Sequence, residues 1–111
     1  MGERIAVCQL SELEERVASV KEVGGERVAL CRVAEQVYGF EGRCSHALKS
    51  LEGARVRGAT LMCPHHGARF DLQTGKHCTA PAVKGIKTYQ TEVEGGTVYV
   101  IPASHDTEDD N

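Results

Sequence analysis

The chain has no tryptophan, and only 5% of its residues are aromatic, so any core must be built mainly from aliphatic side chains. Three prolines in 111 residues exclude a proline-rich linker or stalk. No apolar run approaches the roughly 20 residues that a membrane-spanning helix needs. Ala6 stands where a myristoylation signal starting at Gly2 would require Ser or Thr. The opening residues MGERIAVCQLSELEE show neither a basic region followed by an apolar stretch nor a small-residue cleavage site. Five cysteines is an odd number, which does not suit a closed disulfide framework. The expectation is a soluble chain in the reducing cytoplasm, where cysteines set beside histidines point to metal chemistry before they point to staples.

What is present suits one domain: 111 residues, 41% hydrophobic and 26% charged. A chain of this size buries roughly two thirds of the surface that its unfolded form exposes. That leaves no length for a second, catalytic domain. We expect a single domain over residues 1–103, followed by an acidic, flexible tail at 104–111 (SHDTEDDN) that lacks apolar anchors. Net charge is −3, but it is unevenly spread. Residues 43–87 hold eight basic and two acidic groups, whereas residues 88–111 hold six acidic groups and no Lys or Arg.

The pattern of apolar residues is that of an all-β protein. RIAVCQ (4–9) reads as a strand, and SELE (11–14) places Ser11 and Glu14 in capping-box positions for a short helical turn. RVASVKEV (16–23) and RVALCRVA (27–34) flank Gly24-Gly25-Glu26 as a hairpin, and QVYGFE (36–41) follows a tight turn at Ala34-Glu35. A second hairpin, GIKTYQTEVEGGTVYVIP (85–102), turns at EGG (94–96) with Tyr89, Val93, Val98 and Val100 inward. Residues 42–84 lack sustained periodicity, yet Leu48, Leu51, Val56, Leu61, Met62, Phe70 and Leu72 are apolar enough to pack.

The chemistry lies in that stretch: Cys44-x-His46, sixteen residues, then Cys63-x-x-His66. Two thiolates and two neutral imidazoles suit a tetrahedral zinc, or a [2Fe–2S] cluster in which two histidines replace two cysteines on one iron. Zinc pairs usually come as two cysteines in one segment and two histidines in another, whereas here each segment supplies one of each. Two such mixed loops facing each other can turn both sulfurs to one iron and both imidazoles to the other. Pro64 stiffens the second loop, and Gly67 leaves room for backbone N–H groups to approach inorganic sulfide.

CSH at 44–46 and CPHHG at 63–67, with ARFDLQTG (68–75) and TAPAVKG (79–85) after them, resemble the Rieske-type [2Fe–2S] proteins over essentially the whole chain. The resemblance implies an antiparallel β-sandwich base with a small cluster-binding lobe at about 42–82. It implies Cys44 and Cys63 on the buried iron and His46 and His66 on the exposed one, with His65 a neighbour and Pro81 in a third loop over the cluster. Lys49 and His65 stand where respiratory members have a disulfide, and Ala68 and Phe70 where those members have a serine and a tyrosine bonded to cluster sulfurs.

Histidine ligation leaves the oxidised centre neutral and places its potential at roughly −150 to +300 mV. Without side-chain donors at positions 68 and 70, the low end is expected. That suits a low-potential ferredoxin carrying single electrons from a flavin-dependent reductase to the terminal oxygenase of an aromatic ring-hydroxylating system. Electrons would leave at His46 and His66, beside a cationic surface that includes Lys49 and Arg69. The rival readings are the small subunit of an assimilatory nitrite reductase, a structural Cys2His2 zinc module, and a catalytic oxygenase subunit. The last requires a mononuclear iron domain for which the chain has no length. Cys8 and Cys31 read as buried small hydrophobes, Cys78 as a free thiol, Asp71 as a turn residue, and His77 and His105 as surface residues.

Overall fold

The computed structural model of the chain describes residues 4–42, 50–64, 69–76 and 86–101. Nine strands run through these segments: β1 (Ile5–Gln9), β2 (Ala18–Val23), β3 (Glu26–Val33), β4 (Gln36–Glu41), β5 (Arg55–Arg57), β6 (Thr60–Met62), β7 (Arg69–Asp71), β8 (Thr88–Glu94) and β9 (Thr97–Ile101). They form an antiparallel six-stranded sheet in the order β1-β9-β8-β4-β3-β2 and a three-stranded sheet in the order β5-β6-β7. The expected all-β class with a base and a smaller lobe is what the structure shows. The base is one sheet curled in barrel-like fashion.

Both long hairpins turn on glycine pairs. Gly24 and Gly25 have φ of 58° and 84°, and Gly95 and Gly96 have 60° and 81°. Two consecutive left-handed residues make the tight turn whose twist matches the strands it joins. The β3–β4 turn instead places Ala34 at φ 57°, a conformation that costs a non-glycine residue roughly 1 to 2 kcal/mol. Three hydrogen bonds offset it: the Ala34 N–H donates to both carboxylate oxygens of Glu15 at 3.1 and 2.9 Å, and Arg32 Nε donates to the Ala34 carbonyl at 2.8 Å.

β3 is the spine of the molecule. Val28, Ala29, Leu30 and Cys31 are fully buried in succession, so both faces of the strand are covered. Val28 and Leu30 join Leu13, Val23, Val37, Tyr89, Val98 and Val100 inside the curled base. Ala29 and Cys31 face the other way and join Ala18 and Phe40 against Leu51, Val56, Leu61, Phe70 and Ile86 of the lobe side. Each fully buried leucine, valine or phenylalanine here contributes about 1.5–3 kcal/mol.

Several expectations need correction. The first hairpin arm begins at Ala18 and not at Arg16, because Arg16 takes a left-handed φ of 65° that breaks the strand. Glu26 belongs to β3, leaving only the two glycines in the turn. The short helical turn is a 3₁₀ turn at Leu10–Glu12, in which Glu12 accepts from the Gln9 N–H. Ser11 and Glu14 do not cap it, since a bond from the Leu10 N–H to the Gly96 carbonyl starts the turn earlier. Val93 shares a face with its partner Val98 but is 37% exposed, for it lies past the pairing of β8 with β4. The stretch read as lacking periodicity contains β5, β6 and β7. The acidic tail at 104–111 lies outside the described residues.

Candidate metal centre

The three-stranded sheet shows how the second motif is positioned. Val56, Leu61 and Phe70 stand opposite one another across the strands, and all three are buried. Alternation along the chain from Leu61 brings Cys63 to the same face, where it is 1% exposed and joins the cluster with Phe70, Leu51 and Ile86. Pairing of Met62 with Arg69 then makes residues 63–68 the connection between β6 and β7.

The other two motif segments leave and re-enter the fold through bonded necks. The Leu51 N–H donates to the Gly42 carbonyl at 2.9 Å, closing the chain around residues 43–50. The Ile86 N–H donates to the Gly75 carbonyl at 2.8 Å, closing it around residues 76–85. Gly75 has φ 76° and passes so near the Ile86 carbonyl that a Cβ would collide with it. Gly42 is similarly confined, since a Cβ there would lie 2.9 Å from that of Arg27. Leu51 and Ile86, one at each neck, belong with Phe70 to the same buried cluster as Cys63.

Asp71 sets up the second of these necks. Its Oδ2 accepts from the Gln73 N–H at 3.0 Å, the Thr74 N–H at 2.9 Å and the Thr74 hydroxyl at 3.0 Å. Its backbone also accepts from the Gly75 N–H and donates to the Lys76 carbonyl. The bonds from Thr74 lead in holding this carboxyl below its ordinary range, which matches the turn role read for it. Backbone bonds between the lobe and β2 anchor the whole: Ala18 donates to Ala54, and Gly53 donates to Ala18.

Of the four expected ligands, Cys63 is placed by the structure, while Cys44, His46 and His66 lie outside the described residues. So do Leu48, Lys49, His65, Ala68, His77, Cys78, Pro81 and His105. Cys63 fits an iron ligand: a free thiol directly after β6, shielded from water and walled by apolar side chains. Cys31 differs. It sits in the middle of β3, and burial pushes its thiol up to about 12, so it behaves as the inert small hydrophobe expected of it. Cys8 is half-buried, and desolvation raises its thiol as well. Gly42 and Gly75 were not singled out from the sequence; the only signal for Gly75 was its place at the end of FDLQTG.

With this geometry, the chain belongs to the Rieske [2Fe–2S] domain family, whose model matches residues 3–90. Its cofactor is accordingly a Rieske-type [2Fe–2S] cluster. The ferredoxin CarAc of Metapseudomonas resinovorans is 32% identical over 97 residues, covering 86% of this chain and 91% of that protein. The 3-phenylpropionate/cinnamic acid dioxygenase ferredoxin subunit of Escherichia coli K12 is 36% identical over 98 residues, covering 87% and 92%. Among solved structures, the ferredoxin of carbazole 1,9a-dioxygenase from Nocardioides aromaticivorans IC177 superposes with a TM-score of 0.82 at 29% identity, covering 88% of this chain and 96% of that one. A complex of reduced oxygenase and oxidized ferredoxin in carbazole 1,9a-dioxygenase matches with a TM-score of 0.77 at 30% identity, covering 88% and 92%. A protein named as an NADPH nitrite reductase small subunit shares the fold at 20% identity. Among the described residues, no helix is long and apolar enough to cross a membrane.

Proposed function

We propose that the chain is the ferredoxin component of an aromatic ring-hydroxylating dioxygenase system, passing single electrons from a flavin-dependent reductase to a terminal oxygenase. The observation that carries this reading is kinship: relatives at 33% and 36% identity are named as ferredoxin parts of dioxygenase systems. The chain covers 91% of the ferredoxin CarAc, 92% of the 3-phenylpropionate/cinnamic acid dioxygenase ferredoxin subunit and 96% of the carbazole 1,9a-dioxygenase ferredoxin structure. Catalysis then resides in the partner, and the chain acts as a cytoplasmic carrier over residues 1–103.

Cys44 and Cys63 would hold one iron and His46 and His66 the other, and the bound cluster would supply a one-electron redox centre. The residues present supply its surroundings. Leu51, Phe70 and Ile86 keep water from the Cys63 side, and the two necks fix where residues 43–50 and 76–85 leave and rejoin the fold. Phe70 is fully buried and has no hydroxyl to donate, which supports a potential at the low end of the Rieske range. Partners dock near the His46 and His66 tip, where an imidazole at the rim shortens the path between centres.

The test is reconstitution followed by electron paramagnetic resonance of the reduced protein, with iron and sulfide analysis. The expected result is two irons and two sulfides per chain and the anisotropic signal of a mixed-ligand cluster. Zinc with no signal would overturn the reading. Turnover of an aromatic substrate by reductase and oxygenase, dependent on added carrier, checks the role itself.

A further inference from the structure

The outward face of the three-stranded sheet carries six side chains in two cross-strand rows. Arg55, Met62 and Arg69 form one row, and Arg57, Thr60 and Asp71 form the other. All three arginines are exposed, and Met62 is half-buried between two of them. Among the described residues, none of the three arginines makes an ion pair, whereas Arg4 pairs with Glu92 and Glu94, and Arg32 with Glu15. The one acidic residue on the face is committed elsewhere, since Oδ2 of Asp71 already accepts three hydrogen bonds from Gln73 and Thr74.

We infer that this arginine face is a docking surface for a carboxylate-bearing patch on the terminal oxygenase, an inference that rests on the carrier reading above. Two guanidinium groups set two strands apart, about 10 Å at the backbone, straddle an apolar methionine. An apolar centre with a charged rim is how a transient protein interface is built, and an arginine fork matches a carboxylate in two bonds. A polyanion such as nucleic acid is the poorer occupant, because the chain as a whole carries −3 and would repel it away from this one face. The row of Arg55, Met62 and Arg69 is also the one next to the cluster loop. Met62 precedes Cys63 by one residue, and Arg69 directly follows the segment that holds His66.

The experiment measures electron transfer from reduced carrier to oxygenase by stopped flow across a salt series, together with the dissociation constant of the pair. The variant is Arg55→Gln/Arg57→Gln, and Lys21→Gln/Arg27→Gln on the base serves as a control with the same change in net charge. The expected result is a rate about threefold to tenfold lower at low salt and a flatter salt dependence for the arginine variant, with weaker binding and an unaltered cluster spectrum. The control should stay within about twofold of the parent. Equal slowing by both variants, or no slowing by the first, would overturn the docking face while leaving the carrier role intact. Slowing only of reduction by the reductase would overturn the assignment to the oxygenase. No transfer by the parent protein to any oxygenase would overturn both readings.

Discussion

Gly75 and Ile86 are locked together: the Ile86 N–H bonds the Gly75 carbonyl, and the Ile86 carbonyl occupies the space that a side chain at position 75 would need. Gly75→Ala therefore incurs both a left-handed backbone penalty and a steric clash. We expect a loss of at least about 1–3 kcal/mol in denaturant unfolding, and faster bleaching of the cluster's visible absorbance on storage. Gly58→Ala, equally left-handed but with open space around it, should show the backbone cost alone and bleach no faster.

Asp71 gives the chain an acid-sensitive turn. Its carboxyl is held below its ordinary value of 3.8, chiefly by the bonds from Thr74, so the ionised form favours the fold. That contribution is fully present above the ordinary value and is lost as pH falls through the lowered one. In Asp71→Asn the amide oxygen still accepts from the turn but does not titrate. Urea midpoints followed from neutrality into acid should converge for the two proteins as the aspartate becomes protonated. Curves that stay parallel across the acid limb would contradict this role.

The two adjacent histidines are separable by spectroscopy. His66→Ala should abolish the mixed-ligand signal, as should His46→Ala, whereas His65→Ala should retain the full chromophore. Loss of the chromophore in the His65 variant alone would move the ligand by one residue and break the Cys-x-x-His spacing.

Phe70 offers a handle on the potential. Phe70→Tyr places a hydroxyl inside the apolar cluster that holds Cys63, where a sulfur is the acceptor the reading supplies. A hydrogen bond worth about 1 kcal/mol more to the reduced state corresponds to an upward shift of about 40 mV, given 59 mV per tenfold for one electron. Square-wave voltammetry reads this directly. An unchanged potential would mean that the ring's edge points away from the cluster.

The parts of the fold legible from sequence are those whose cause is local. Gly24-Gly25 and Gly95-Gly96 announce their hairpins because paired glycines supply the two left-handed residues that such turns demand. β5, β6 and β7 were not legible, since three residues are too few to display an alternating pattern, and their pairing depends on partners far along the chain. Val93 and Arg16 failed for related reasons: where a sheet ends and where a strand breaks are set by neighbours, not by the residue. At the site, the Cys-x-His and Cys-x-x-His spacings stand in the sequence itself, and of their four residues the structure describes Cys63. The necks were not legible there, because Gly42 and Gly75 are constrained by Arg27 and Ile86, contacts that exist only once the chain has folded.

β3 presents Val28 and Leu30 to one apolar cluster and Ala29 and Cys31 to the other. A strand shared in this way leaves neither half free to melt by itself. Calorimetry should accordingly record one cooperative transition for base and lobe together, and extracting the iron should lower the midpoint of the entire molecule. Loss of the inorganic cargo should thus be felt in the barrel as well, across the apolar contacts that Cys31 and Phe40 share with the lobe side.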